Sequence, residues 1–104
     1  QAKRLLFLDE LWGADRALAT GLVGEVCVDE QLLDVAGELA TRLANGPTFA
    51  FAQTKKLMRE GAQRDLPQQL QAELAAGLLC GRSEDGAEAL RASVEKRPAR
   101  FVGK

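Results

Sequence analysis

Apolar residues recur at helical spacing along most of this 104-residue chain. Between residues 29 and 44, Leu32, Leu33, Ala36, Leu39, Ala40 and Leu43 share one helix face, and Asp29 is placed to cap its start. "NGP" at 45–47 ends that helix, and Pro47 suits the first turn of the next, where its missing N–H costs nothing. The next helix runs through "TFAFAQTKKLMREGAQR", with Phe49, Phe51, Ala52 and Leu57 apolar and Lys55, Lys56, Arg59 and Arg64 polar. Asp65 and Pro67 mark another start, after which Leu66, Leu70, Leu74 and Leu78 recur every fourth residue. Ser83 caps a last helix striped by Ala87, Leu90 and Val94, and Pro98 stops it.

The first residues follow a different pattern. "QAKRLLFLDE" reads as the end of a helix, and "WGADRALATG" as a short one that Gly21 ends in the left-handed conformation. "LVGEVCV" alternates and is β-branched, which predicts the chain's one short strand, though no second strand is available to pair with it. The predicted order is α, α, β, α, α, α, α, a mainly α chain with connections of two to four residues.

Composition narrows the class. With 46% hydrophobic and 28% charged residues, the chain has the make-up of a soluble globular domain. No apolar run approaches the roughly 20 residues that span a bilayer, and "LLFL" near the N-terminus is too short for a signal-peptide core. The expected location is therefore cytoplasmic, with no membrane partner. Histidine is absent, which removes the commonest general base and metal ligand. Cys27 and Cys80 fit no metal or redox spacing and read as small buried thiols. No metal site is expected.

Charge is unevenly spread. The net charge is −1, yet Arg91, Lys96, Arg97, Arg100 and Lys104 face only Glu95 as an acid in the last fourteen residues. On the residues alone, this tail is a solvated end, a nucleic-acid arm or a clamp for an anionic ligand. The acidic remainder and the lack of interleaved aromatics beyond Phe101 speak against nucleic acid. Glu84, Asp85 and Glu88 follow the Ser83 cap, where acids favour the helix dipole; acid/base catalysis is the less economical reading of these and of Glu73. Gly21 and Gly24 have the wrong spacing for a phosphate loop, and Trp12 reads as a packing anchor.

Two long segments carry a resemblance. "GADRALATGLVGEVCVDEQLLDVAGELATRLANGP" and "GRSEDGAEALRASVEKRPARFVGK", with "TKKLMREG" between them, resemble the C-terminal part of the enoyl-CoA hydratase/isomerase (crotonase) family, in order and without gaps. The resemblance implies that residues 1–28 are the end of a crotonase-like core and that 29–104 form a C-terminal helical segment, which in the family builds a homotrimer or hexamer. It implies an acyl-CoA substrate and no other cofactor. The family's oxyanion-hole amides and catalytic carboxylates lie in its N-terminal part, so no catalytic residue is expected in this chain. By the same resemblance the Glu-Lys-Arg stretch lies near the CoA entrance, making Lys96 the first and Arg97 the second candidate for contact with CoA phosphates. Ser93 and Gly77 stand where many hydratases carry aromatics, and Ala89 where the family often has Gly, which alters the expected acyl pocket. "PTF", "GRS" and "FVGK" look most like the branch that isomerises ring-epoxidised phenylacetyl-CoA. From a different class, the alternative is a non-catalytic helical protein-interaction module.

Overall fold

The computed structural model describes residues 2–104; Gln1, which the sequence places in the first helix, lies outside the described residues. Among the described residues six α-helices follow one another: α1 (Ala2–Leu8), α2 (Ala14–Ala19), α3 (Leu32–Ala44), α4 (Thr48–Gly61), α5 (Leu66–Gly81) and α6 (Glu84–Glu95). The chain forms two compact units, one ending at Gly37 and the other comprising Glu38–Lys104.

In the first unit, α2 buries Ala17 and ends at Gly21, whose φ of 73° is left-handed as expected. Two backbone bonds close that end, Leu22 N–H to the Ala17 carbonyl and Gly21 N–H to the Leu18 carbonyl. Glu10 gathers the polar groups around it. Its carboxylate accepts from Arg4, from Arg16 at 2.9 Å and from Trp12 Nε1 at 3.1 Å, and Arg16 stacks 4.4 Å from the Trp12 ring centre. Trp12 is half-buried in this small network.

The expected strand does not form. Residues 25–28 belong to no ladder, and no strand occurs among the described residues. The physical reason is the missing partner: an alternating sequence cannot satisfy its own backbone groups without a neighbouring strand. Asp29 also departs from expectation. It opens a short 3₁₀ turn, Asp29–Gln31, that leads into α3, and no side chain caps that start.

The second unit is built on α5, which packs against both α4 and α6. Connections of two to four residues hold these helices adjacent. Asp65 caps α5 in a reciprocal box: its carboxylate accepts from Gln68 N–H at 2.9 Å, and Gln68 Oε1 accepts from Asp65 N–H at 3.2 Å. Ser83 caps α6 by accepting from Gly86 N–H at 2.9 Å. Pro47 stands one residue earlier than expected, at the N-cap of α4.

Small residues, not the leucines, make the contact surface. Along α5 the inward positions are Gln69, Ala72, Ala76 and Cys80, with Ala76 buried. Leu66, Leu70, Leu74 and Leu78 lie on the opposite face and are 54–71% exposed. The same inversion holds in α6, where Asp85, Glu88 and Ala92 face inward while Leu90 and Val94 are exposed. Two positions along a helix are about 200° apart, so the alanine and leucine series point in opposite directions. Helix α5 is thus apolar on both sides, with one side covered in this chain and the other bare.

Candidate functional site

The most constrained part of the second unit is the reversal after α6. Helix α6 ends at Glu95, and Lys96 takes the left-handed conformation, φ 53° and ψ 41°. Arg97 N–H bonds to the Ala92 carbonyl at 3.0 Å and Lys96 N–H to the Ser93 carbonyl at 3.3 Å. This is the same pair of closing bonds that ends α2, but with lysine where α2 has Gly21. For a residue with a Cβ, left-handed backbone costs roughly 1–2 kcal/mol.

Pro98 then forbids continuation of the helix, and residues 97–104 run back along α6. Arg97 grips Glu88 with both terminal nitrogens, at 2.6 and 3.1 Å, and donates its Nε to Glu95 at 2.5 Å. Glu88 also accepts Arg100 N–H at 3.0 Å. One turn nearer the start of α6, the Asp85 carboxylate accepts Val102 N–H at 2.6 Å and Gly103 N–H at 3.0 Å. Asp85 N–H in turn bonds to the Lys104 carbonyl at 2.9 Å. Asp85 is only 3% exposed, and its carboxylate is satisfied by these amides.

Close approach fixes the same region. A side chain at Gly86 would collide with the Cys80 carbonyl, and Gly103, at φ 77°, lies against Thr48 of α4. Phe101 closes a largely apolar cavity of about 260 Å³ with Pro47, Ala50, Cys80, Gly86 and Ala89. Cys27 and Cys80 are free and half-buried.

The electrostatics separate the two candidate cations. The hydrogen bond from Arg97, joined by Arg100 N–H, holds the Glu88 carboxyl well below its ordinary range, at about 2. Glu88 and Glu95 reciprocally raise the Arg97 guanidinium. Arg97 is therefore matched by two carboxylates. Lys96 is exposed, and its ammonium has no hydrogen-bond or ion-pair partner among the described residues. At the apex of the reversal, one cation is spoken for and its neighbour is open.

Acid/base chemistry is not built here. Glu88 stays ionised at neutral pH, and both carboxylate oxygens of Asp85 are taken by backbone amides. Among the described residues, no three His, Cys, Asp or Glu side chains converge as a metal site. No described helix is long and apolar enough to cross a membrane. In sequence Lys96 and Arg97 are neighbours, whereas Asp85 reads only as an acid favourable to a helix start. Its partners lie seventeen and eighteen residues further on, and no local pattern announces them.

Comparison with known proteins places this arrangement. The family profile described as enoyl-CoA hydratase/isomerase matches residues 1–104. The chain belongs to the enoyl-CoA hydratase/isomerase family. It is 34% identical over 103 residues to a crotonyl-CoA hydratase of Syntrophomonas wolfei, covering 99% of this chain and 40% of that protein. It is 35% identical over 104 residues to the 1,2-epoxyphenylacetyl-CoA isomerase of Escherichia coli, covering 100% of this chain and 40% of that protein. Among solved structures, an enoyl-CoA hydratase from Polaromonas sp. JS666 superposes with a TM-score of 0.89 at 29% identity, over 97% of this chain and 39% of that one. One from Bacillus anthracis superposes with a TM-score of 0.85 at 31% identity, over 99% and 40%. The chain thus spans about 40% of the length of the relatives it matches, and its helices correspond to a helical part of the crotonase fold.

Proposed function

We propose that this chain is the C-terminal helical part of an acyl-CoA hydratase or isomerase, and that Lys96 contacts a phosphate of the CoA ester. Residues 1–28 then close the catalytic core, and 29–104 form the helical segment. Arg97 is the second cation at the site and holds the apex in shape while Lys96 binds. The observation that carries the reading is the contrast between them: Lys96 keeps an unpartnered, exposed ammonium in a backbone conformation that favours glycine, beside a guanidinium matched by two acids. An ammonium is a compact point charge suited to a phosphate oxygen.

The bare leucine face of α5 supports assembly. In this reading a homotrimer or hexamer covers Leu66, Leu70, Leu74 and Leu78, whose exposure leaves α5 apolar on both sides. Relatives named as a hydratase and as an isomerase match at nearly equal identity, 34% and 35%, so identity alone supports the shared acyl-CoA class. Within it the ring-epoxide isomerase branch is the finer proposal. The protein acts in the cytoplasm and needs no cofactor beyond its CoA-ester substrate.

The test is turnover. The longer protein implied here is expected to hydrate or isomerise a 2-enoyl-CoA or the ring-epoxidised phenylacetyl-CoA, while residues 1–104 alone show none. Catalysis by residues 1–104 alone would contradict the placing of the chemistry elsewhere. An assembled longer protein inert toward every such thioester would contradict the class.

A further inference from the structure

Helices α2 and α6 end with the same two closing bonds, one on Gly21 and the other on Lys96. Glycine adopts that backbone freely; lysine does not. The capping bonds alone therefore do not explain why the α6 end tolerates a side chain. What the α6 end has in addition is a returning chain fastened at two carboxylates. Glu88 takes Arg100 N–H and the Arg97 guanidinium, and Asp85 takes Val102 and Gly103 N–H. Gly103, with its own left-handed backbone against Thr48, lets the chain lie close enough for that second grip. Lys96 is the left-handed residue between α6 and this return.

From this geometry we infer that Asp85 and Glu88 are positioning residues for Lys96: by fastening residues 97–103 along α6 they lock the left-handed apex and fix where the Lys96 ammonium is presented. Neither carboxylate touches the ligand. The inference deepens the proposed phosphate contact and rests on it for its functional half, but its mechanical half concerns the chain alone. Releasing either grip lets Lys96 relax toward ordinary helical or extended backbone, because a strained conformation persists only where its surroundings over-determine it. The side chain then samples many directions, and the preorganised cation is lost.

The mechanical half is read by nuclear magnetic resonance on the full chain. Lys96 backbone shifts and its N–H to Hα coupling report the left-handed state, and amide exchange reports the grips. Asp85→Asn is expected to speed exchange at Val102 and Gly103 by at least about tenfold and to move Lys96 toward a helical or extended average. Because Asp85 is buried and its variant can fail to fold, Glu88→Gln, at a less deeply buried position, is the second arm. It is expected to loosen Arg100 without freeing it fully, because Gln keeps one acceptor oxygen, and to shift Lys96 likewise. Unchanged Lys96 signals in a folded variant whose tail amides exchange faster would overturn the inference.

The functional half is read in the longer enzyme. Asp85→Asn should raise KM for the CoA ester with kcat little changed, leave KM for the matching pantetheine thioester unchanged, and add nothing further in a Lys96→Gln background. Full additivity of the two substitutions would overturn positioning. If Lys96→Gln itself leaves KM unaltered, the phosphate reading fails, and the resonance experiment still decides the mechanical claim.

Discussion

The Asp85 carboxylate accepts the backbone N–H of Val102 at 2.6 Å, joining the first turn of α6 to a residue seventeen positions later. Because Asp85 is buried and accepts Gly103 N–H as well, its removal leaves two amides without partners. Hydrogen bonds to a charged group contribute about 1.5–3 kcal/mol each, and unsatisfied buried donors cost more than pairs removed together. Asp85→Ala is expected to destabilise the chain by roughly 3 kcal/mol, and Asp85→Asn, which keeps one acceptor, by about half that. Urea unfolding followed by circular dichroism measures both; equal midpoints for wild type and Asp85→Ala would contradict the grip.

Lys96 gives the opposite sign. Glycine removes the left-handed penalty of roughly 1–2 kcal/mol but adds unfolded-state entropy worth about 0.5–1 kcal/mol. Lys96→Gly is therefore expected to stabilise the chain by up to about 1 kcal/mol. Lys96→Val, β-branched at the same φ, is expected to destabilise it. The order of the three unfolding midpoints, Gly above Lys above Val, is the readout.

Acid should loosen the return. The Glu88 carboxyl is depressed from 4.5 to about 2, chiefly by Arg97 and then by Arg100 N–H, with Arg91 adding a weaker attraction. A depressed carboxyl contributes stability that is fully present above its unfolded value and is lost as pH falls through the folded one. The window is therefore from about pH 4.5 down to about pH 2. Glu10, held at about 2 by Arg4 and Trp12, titrates in the same window in the first unit, so the whole-chain curve contains both. Replacing Glu88 with Gln should remove the Glu88 share, visible as slower loss of Arg100 amide protection on acidification. An acid profile at Arg100 identical in the two proteins would rule out the ion pair as its cause.

The leucine face makes a prediction about association. Leu74 is 66% exposed, so Leu74→Glu should change the stability of the isolated chain by less than about 0.5 kcal/mol. It should, however, weaken self-association, because a charge placed in an apolar contact is left unpaired on burial. Sedimentation at rising concentration separates the two effects. A large fall in stability with unchanged association would mean that the leucines pack within the chain.

Helix punctuation was legible along the chain because it is local. Asp65, Ser83, Gly21 and Pro98 each act on backbone groups within a few residues, and each does what its chemistry predicts. Which face of a helix turns inward was not legible. Periodicity shows Leu70, Leu74 and Leu78 as one stripe, but Ala72 and Ala76 form another on the far side, and only packing decides between them. The strand at 22–28 failed for the same reason: alternation states a preference, and a ladder needs a second strand. Lys96 and Arg97 are candidates through resemblance alone; their different surroundings needed the return of the chain, set by Asp85 and Glu88 at a distance.

The central claim is that Lys96 is the cation that meets the phosphate. The most direct test is KM for the CoA ester in the longer enzyme, wild type against Lys96→Glu, at low ionic strength. Removing an exposed contact of this kind costs on the order of 1 kcal/mol, about fivefold, and charge reversal somewhat more. The account predicts a raised KM with kcat little changed, because a phosphate far from the reacting carbons is held alike in ground and transition states. Added salt should narrow the gap, since exposed charges are screened over about 8–10 Å. An unchanged KM at low salt would contradict the claim and leave Lys96 as a solvated helix end.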